Sequence, residues 1–174
     1  MVRIKRVKRI AIAVKDLDAA VENWKKMFGI KPFMRGEEPK DRYAFVAFQI
    51  GNTKGDGEVT IEFLSPLNDP NGEMLIGKFI KKRGEGLYMI TLETERTAGE
   101  VDIEMKGVSL EPSWGGQQKK WEGDEAMKLS GMKSWTEHYV NPKNANGVLI
   151  TLASIEYADP EIIHSKSGKT IGKV

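Results

Sequence analysis

The stretch VKRIAIAVKDLDAAVENWKKMFGI, residues 7–30, contains a strand, a helix and a helix stop in one uninterrupted unit. Residues 9–14 form a short apolar run, rich in β-branched side chains, that predicts a buried strand. Asp16 is placed to cap the following helix by accepting its unpaired amide hydrogens, and Gly29 supplies the left-handed residue on which helices commonly end. Apolar residues at helical spacing predict one buried stripe along this helix: Leu17, Ala20, Val21, Trp24, Met27 and Phe28.

Composition limits the classes of protein to which the chain can belong. Its 174 residues suit one domain, or two half-domains around a shared core, and its formal net charge of +2 points to no polyanionic partner. The chain contains no cysteine, which excludes disulfides, thiolate catalysis and cysteine-ligated metals. It has neither a signal-peptide pattern nor a long apolar span, so we expect a cytoplasmic protein that does not enter a membrane.

Basic residues are concentrated at the N-terminus, where five occur within seven positions: Arg3, Lys5, Arg6, Lys8 and Arg9. Such a run is either an arm that binds nucleic acid or a membrane, or the solvated flank of a strand, which is the ordinary meaning of so short a run. The sequence lacks the combined aromatic and basic pattern used for stacking on bases, so no nucleic-acid partner is predicted.

Glycine, proline and polar clusters divide the next part of the chain into short elements. The pattern predicts, in order, a short strand at 31–34, a solvent-facing loop at 35–41, and two strands at 43–50 and 59–64 joined by a hairpin turn at 52–57.

The second half of the chain repeats the organisation of the first. A predicted helix at 73–83 ends at Gly84 and leads into residues 89–92, which align with residues 9–12. Residues 148–153 likewise align with the strand at 59–64. The repeat predicts an α+β fold of two tandem βαβββ modules, whose strands form a concave mixed β-sheet cavity.

We predict that the first module with its linking helix spans 1–84 and that the second spans 85–154. An inserted loop is predicted at 112–133 and a C-terminal tail at 155–174. The inserted loop carries Trp114 and Trp121, which form either a lid over the cavity or a hydrophobic plug under a long loop.

Three phrases carry a resemblance to a known family. They are IAIAVKDLDAAVENWKKMFGIKP at residues 10–32, KKRGEGL at 81–87, and Asn141-Pro142-Lys143 leading into Gly147-Val148-Leu149-Ile150. Together they resemble the vicinal oxygen chelate superfamily and, within it, the methylmalonyl-CoA epimerase branch. The resemblance covers about residues 4–154, with a poor match at 112–133.

Members of this superfamily bind a divalent metal through side chains on four symmetry-related strands. The resemblance carries those four metal positions over to Arg9, Glu62, Met89 and Thr151. Only Glu62 is a good ligand for a hard cation, because Met89 offers a soft thioether, Thr151 a neutral hydroxyl and Arg9 a permanent positive charge. No metal and no other cofactor is therefore predicted at the inherited centre.

The catalytic base of the epimerases is a carboxylate near the start of a hairpin strand, and the ungapped register places Phe45 there. Asp41 is the nearest carboxylate, and it is either a base that is partly desolvated or simply a solvated loop residue. His138 points either into the pocket or onto the surface of the sheet. The residues predicted to line a ligand cavity are Tyr43, Phe45, Gln49, Tyr88, Trp135 and His138.

Two functional classes remain open. The first is a metal-free binding module for a small organic acid, a thioester or a planar molecule. The second is an isomerase or lyase of the epimerase or glyoxalase type, with another base or with a divalent metal held by ligands outside the inherited positions, such as His138 with Glu62. A homodimer is expected in either case, because the apolar pattern of the first strand offers a face that a partner could cover.

An ion pair between Arg9 and Glu62 is predicted at the former metal centre, with Met89 and Thr151 completing its walls. A buried carboxylate without a partner would be costly, and a guanidinium matches a carboxylate with its forked donors. The alternative is that Arg9 turns outward to solvent with the basic residues near the N-terminus.

Overall fold

The computed structural model describes residues 2–51, 59–107, 118–122 and 131–157. Within these residues the chain forms eight strands, three α-helices and one short 3-10 helix. The strands are β1 (Ile4–Ala13), β2 (Met34–Glu38), β3 (Tyr43–Ile50), β4 (Val59–Pro66), β5 (Gly86–Thr94), β6 (Gln118–Glu122), β7 (Met132–Val140) and β8 (Leu149–Tyr157). The helices are α1 (Leu17–Phe28), α2 (Leu75–Arg83), α3 (Ala98–Gly107) and the 3-10 helix Pro142–Ala145.

All eight described strands belong to one mixed sheet in the order β2-β3-β4-β1-β5-β8-β7-β6. Strand β1 runs parallel to β4 and β5 runs parallel to β8, while the two modules join through the antiparallel pair of β1 and β5. The predicted α+β fold of two tandem βαβββ modules is confirmed, with α2 as the link between them. The symmetry-related first and last strands of both modules therefore meet at the centre of the sheet.

The two faces of the sheet are covered differently. Helix α1 packs on one face through a cluster that includes Leu17, Phe48 and Phe63, and α3 packs through Val101 and Met105 on a second cluster with β7 and β8. Helix α2 lies on the face opposite to α1, where Ile76, Phe79 and Ile80 pack on Ala11, Leu64 and Met89. Polar side chains from the centre of the sheet lie on this same face, beside α2.

Helix α1 has the predicted ends. The Asp16 carboxylate accepts a hydrogen bond of 2.9 Å from the Ala19 amide, and Gly29 takes φ +66° after the last turn. The buried stripe is shorter than predicted, because Met27 is 63% exposed and Phe28 60% exposed. Trp24 packs over Phe63, whereas the Phe28 ring contacts the edge of Trp24 and therefore leaves much of its own surface in water.

The predicted loop at 35–41 is wrong in its first half, because residues 35–38 belong to β2. This strand lies at the edge of the sheet and pairs only with β3. Its backbone can therefore join the ladder while Arg35 and Glu37 stay exposed, and charged side chains on an edge also discourage pairing with other chains. The predicted hairpin turn at 52–57 lies outside the described residues.

Four of the five basic residues near the N-terminus, Lys5, Arg6, Lys8 and Arg9, lie within β1 rather than on an arm or a solvated flank. Arg6 donates a hydrogen bond of 2.6 Å to Glu93, which is 2% exposed, and Lys8 is itself buried. Both interpretations of the run are therefore wrong for Arg6 and Lys8, because the strand begins at Ile4 and pairs with β5. Within the described part of the chain, no helix is both long and apolar enough to cross a membrane.

Strand β6 falls inside the segment that was predicted to be an inserted loop, so the second module contains the counterpart of β2. Trp121 lies on this strand opposite Trp135, but its side chain and all of Trp114 lie outside the described residues. The choice between a lid and a plug therefore stays open. Strand β8 continues to Tyr157, three residues into the predicted tail. The rest of the predicted tail, 158–174, lies outside the described residues. The predicted division between the modules at 84 and 85 stays a prediction.

Candidate functional site

Arg9 lies on β1 at the centre of the sheet, with its guanidinium between two carboxylates. Its Nη2 is 2.5 Å from Glu137 Oε1, and its Nη1 is 3.4 Å from Glu62 Oε2. Its Nε donates a longer hydrogen bond of 3.3 Å to the Thr91 hydroxyl. The Trp135 ring centroid lies 5.4 Å from the guanidinium carbon, within the range of a cation–π contact. Contacts on several sides thus fix the orientation of this cation.

Glu137 is the most enclosed member of this group, with an exposed fraction of 0%. Besides Arg9, it accepts hydrogen bonds from the hydroxyls of Thr91 (3.2 Å), Thr151 (3.3 Å) and Tyr139 (3.2 Å). The hydroxyls of Thr151 and Thr91 are also 2.8 Å apart. Hydrogen bonds to an ionised group are stronger than those between neutral groups, so this network holds both the carboxylate and Arg9 in place.

Glu137 was not predicted to have a role, although the repeat contains the signal that locates it. The match of Glu62 with Thr151 makes Leu64 the counterpart of Ala153. Phe45 pairs with Leu64 in the first module, and Glu137 pairs with Ala153 in the second. Glu137 is therefore the symmetry counterpart of Phe45, the position where the resemblance places a catalytic carboxylate. The carboxylate missing from the first module is present in the second.

The charges of Glu62, Glu137 and Arg9 shift the pKa values of Arg9 and Glu62. Burial alone lowers the pKa of Arg9, but Glu137 and Glu62 together raise it above its ordinary value. Burial raises the pKa of Glu62, the Arg9 charge opposes that shift, and the Glu137 charge adds to it. Arg9 therefore stays charged, while Glu62 is a carboxyl that binds a proton more readily than an exposed glutamate.

A small inner cavity of about 50 Å³ opens beside the guanidinium. We call it the inner cavity, and the residues that line it are Arg9, Asp41, Tyr43, Glu62, Leu64, Leu75, Ile76, Tyr88, Met89, Glu137 and Tyr139. A single water needs only about 10 to 15 Å³, so the inner cavity has room for a group of a few atoms.

Three tyrosines, Tyr43, Tyr88 and Tyr139, are among the polar residues that line the inner cavity. Burial raises the pKa of Tyr88 to about 12, and the Asp41 charge adds to that shift. Burial also raises the pKa of Tyr43 and that of Tyr139, with Glu62 adding to the first shift and Glu137 to the second. All three phenols therefore stay protonated at neutral pH and can donate hydrogen bonds.

The predicted ion pair between Arg9 and Glu62 is confirmed, and the alternative of an outward-turned Arg9 is wrong. The pair is nevertheless the looser of the two that Arg9 makes, because the contact with Glu137 is shorter by about an ångström. Met89 lines the inner cavity as predicted, while the hydroxyl of Thr151 is turned toward Thr91 and Glu137. The four positions carried over by the resemblance do converge on one centre. Glu137 accepts hydrogen bonds there from Arg9, Thr91, Thr151 and Tyr139.

The residues predicted to line a ligand cavity divide into two groups. Tyr43 and Tyr88 line the inner cavity, Phe45 lies beside Tyr43 with ring centroids 6.5 Å apart, and Trp135 covers Arg9. Asp41 also lines the inner cavity, so it is not simply a solvated loop residue.

Two of the predicted lining residues lie elsewhere. Gln49 is exposed near the end of β3 and lies away from the described lining of the inner cavity. His138 points to the opposite face of β7 from Glu137, where burial lowers its pKa and the Asp102 charge on α3 opposes the shift. Neighbouring residues of a strand point to opposite faces, so His138 lies away from the inner cavity. The predictions that His138 lines the pocket or shares a metal site with Glu62 are therefore wrong.

The residues at this centre do not fit a divalent metal. The Arg9 guanidinium lies between Glu62 and Glu137, the two carboxylates that would have to act as ligands. A dication placed there would meet a fixed positive charge, a thioether and a threonine hydroxyl already engaged in hydrogen bonds. In the described part of the chain, no group of three or more His, Cys, Asp or Glu residues is arranged to hold a metal ion.

The raised pKa of Glu62 leads to a pH-dependent prediction. A carboxyl whose pKa is higher in the folded state contributes stability below its unfolded pKa and loses that contribution as pH rises through the folded pKa. The free energy of unfolding of the wild type, relative to Glu62→Gln, should therefore decrease from about pH 4 upward. Urea unfolding of both proteins across this range would measure it, and a difference that grows with pH would contradict the burial of Glu62.

Comparisons with known proteins bear on this geometry. A family model described as the Glyoxalase/Bleomycin resistance protein/Dioxygenase superfamily matches residues 8–123. Among curated proteins, none matches the chain significantly.

Solved structures with the same fold include several methylmalonyl-CoA epimerases. One, in complex with methylmalonyl-CoA and NH4+, is 21% identical with a TM-score of 0.67, over 87% of this chain and 94% of that one. The epimerase from Mycobacterium tuberculosis is 19% identical with a TM-score of 0.66, over 92% and 93%. A hypothetical protein from Bacillus halodurans C-125 is 22% identical with a TM-score of 0.67, over 88% and 96%. At these identities the likeness concerns the fold.

Proposed function

Because the chain belongs to the glyoxalase/bleomycin resistance protein/dioxygenase superfamily, we propose that it is a small-molecule-binding member that works without a divalent metal. The observation that carries this proposal is the position of the Arg9 guanidinium. It lies between Glu62 and Glu137 at the centre of the sheet, where β1, β4, β5 and β8 meet. Arg9 is thus a cation built into the chain. It supplies a positive charge and N–H donors in place of an exchangeable metal ion.

The lining of the inner cavity favours a ligand whose bound end is uncharged. Among the described lining residues, the carboxylates of Asp41, Glu62 and Glu137 accompany one guanidinium, that of Arg9. A free organic acid would place one more negative charge among them, which like-charge repulsion in a low-dielectric site disfavours. A thioester or a planar neutral group would instead offer carbonyl oxygens to the Arg9 and tyrosine donors. Of the three ligand classes named from the sequence, the proposal therefore favours the thioester and the planar molecule.

Calorimetric titration with a small neutral thioester, S-acetyl-N-acetylcysteamine, tests this function. We expect the probe to bind equally well with and without a metal chelator, because Arg9 belongs to the chain. Glu62→Gln should retain binding, and Tyr88→Trp should weaken it by filling the inner cavity at its edge. Sodium acetate, as a charged control, should bind more weakly than the thioester. Binding that requires an added divalent metal would reject the proposal.

A specific observation supports a second function, an isomerase of the epimerase type. Glu62 lines the inner cavity, and burial raises its pKa above the ordinary value, as is common for carboxyls that exchange a proton with a substrate. As a carboxylate it would take a proton from the carbon next to a thioester carbonyl, and the C–H electron pair would form the enolate. The configuration inverts only when the enolate presents its opposite face to the carboxyl before the proton returns to that carbon. Proton NMR of the thioester in deuterated buffer would show loss of the signal of the proton next to the carbonyl, and Glu62→Gln would abolish this exchange. Exchange no faster than in buffer without the protein would reject the isomerase function and leave the binding function as the proposal.

A homodimer stays a prediction. The apolar face of β1 gives it little support, because Ala11 and Ala13 pack in the cluster with α2 and Ile12 packs in the cluster with α1 of the same chain.

A further inference from the structure

A second, larger cavity lies outside the inner one, between α2 and the ends of β5 and β8. We call it the outer groove. Its volume is about 380 Å³, within the range of about 300 to 1,000 Å³ that is typical of small-molecule sites. The residues that line it are Leu75, Lys78, Phe79, Lys82, Arg83, Leu87, Tyr88, Pro142, Gly147, Val148 and Leu149.

The charged side chains among the described lining residues of the outer groove are all cations. Lys78 and Lys82 are four residues apart on α2, so their side chains extend from the same face of the helix. Arg83 adds a third cation, and no carboxylate occurs among the described lining residues. Like charges so close together repel one another unless an anion lies between them, so the rim favours a negatively charged group.

Arg83 is fixed across the mouth of the outer groove. Its Nη1 donates a hydrogen bond of 3.2 Å to the Gly147 carbonyl, and its guanidinium carbon lies 6.0 Å from the centroid of the Phe79 ring. These contacts join α2 to the turn that precedes β8. Lys78 and Lys82, like Arg83, are exposed to solvent.

The floor of the outer groove is apolar. The rings of Phe79 and Tyr88 meet edge to face with centroids 5.2 Å apart, and Val148 and Leu149 continue the surface. Leu87, also in the lining, is 47% exposed. Each apolar side chain left in water is a source of binding free energy for an apolar ligand that covers it.

The outer groove and the inner cavity share part of their walls. Leu75 and Tyr88 line both, so the two spaces are neighbours on either side of these side chains. A ligand with an anionic end and an apolar middle could therefore lie in the outer groove and direct its other end toward Arg9.

We propose that the outer groove is a binding site for an amphipathic anion. Its apolar chain covers Phe79, Leu87 and Val148, and its carboxylate, sulfate or phosphate group lies between Lys78 and Lys82. This proposal extends the proposed function by describing the part of the ligand that lies outside the inner cavity. It rests on the proposed function only for the end of the ligand that reaches the inner cavity. Binding in the outer groove itself does not depend on Arg9 or on catalysis.

Calorimetric titration with octanoate tests this site, with octyltrimethylammonium as a probe of the same chain length and opposite charge. We expect octanoate to bind the wild type more tightly than the ammonium probe. The double variant Lys78→Glu/Lys82→Glu should bind octanoate about tenfold or more weakly, because two attractive charges become repulsive. Lys81→Glu is the matched control, since Lys81 lies on the same helix but faces a different surface depression. It should bind octanoate as the wild type does.

The amide NMR signals of Leu87, Gly147 and Val148 should shift on octanoate addition in the wild type and not in the double variant. Equal binding of both probes, or equal loss in Lys81→Glu and the double variant, would overturn the proposal. The neutral thioester probe distinguishes the two claims, because the double variant should still bind it. Octanoate binding without thioester binding would reject the proposed function and leave the outer groove supported.

Discussion

Replacing Arg9 with methionine is expected to lower the free energy of unfolding by about 3 to 5 kcal/mol at neutral pH, because it leaves buried carboxylates without their cation. Glu137 is completely buried and Glu62 is 8% exposed, so neither carboxylate can regain full hydration in the folded state. Methionine preserves much of the volume of the side chain, which separates the loss of charge from the creation of a cavity. Urea unfolding followed by circular dichroism measures the change.

The matched control is Arg35→Met on β2. Arg35 makes an ion pair of 2.6 Å with Asp18, but both side chains are more than half exposed. Removing it should therefore cost less than about 1 kcal/mol. If the Arg9 variant lost no more stability than the Arg35 variant, the central ion pair would not have the buried character described above.

Replacing Glu137 with alanine should destabilise the protein by a similar amount, about 3 to 5 kcal/mol. The change removes the shortest contact of Arg9 and the acceptor for Thr91, Thr151 and Tyr139. Glu62→Ala should cost much less, because its contact with Arg9 is longer and its ionised form is already disfavoured by burial. Unfolding free energies in the opposite order would show that Glu62, not Glu137, holds Arg9.

The two large effects should not add. Arg9→Met combined with Glu137→Leu removes cation and carboxylate together, and replacing a buried ion pair by apolar residues is often close to neutral. We therefore expect the double variant to be more stable than either Arg9→Met or Glu137→Leu alone. A double variant as unstable as the sum of the single losses would mean that the pair does not interact as its geometry indicates.

The fold was predictable because its signals are local and repeated. Asp16 and Gly29 mark the ends of α1 by chemistry that does not depend on the rest of the structure. Strand β6 was not predicted, since its charged sequence QKKWE lacks the alternation of a half-buried strand. Strand β2 was misplaced for a similar reason. Edge strands join a sheet through their backbones and leave little trace in side-chain pattern.

The site was predicted only in part. Arg9 and Glu62 follow from positions that the resemblance supplies, and the need to pair a buried carboxylate made their contact predictable. Glu137 was missed because the strand that contains it was not aligned with β3, its counterpart in the first module, which the pairing registers of the two modules identify. The burial of Glu137 depends on contacts with residues 46 and 128 positions away, which no local pattern can indicate.

The central claim is that Arg9 occupies the position of the metal, and titration of the wild type with manganese(II), followed by elemental analysis after desalting, tests it most directly. The account predicts no stoichiometric uptake at the centre, because the guanidinium lies between Glu62 and Glu137 and repels a dication. The titration should look the same for Glu62→Gln. One manganese per chain in the wild type, lost in Glu62→Gln, would contradict the account.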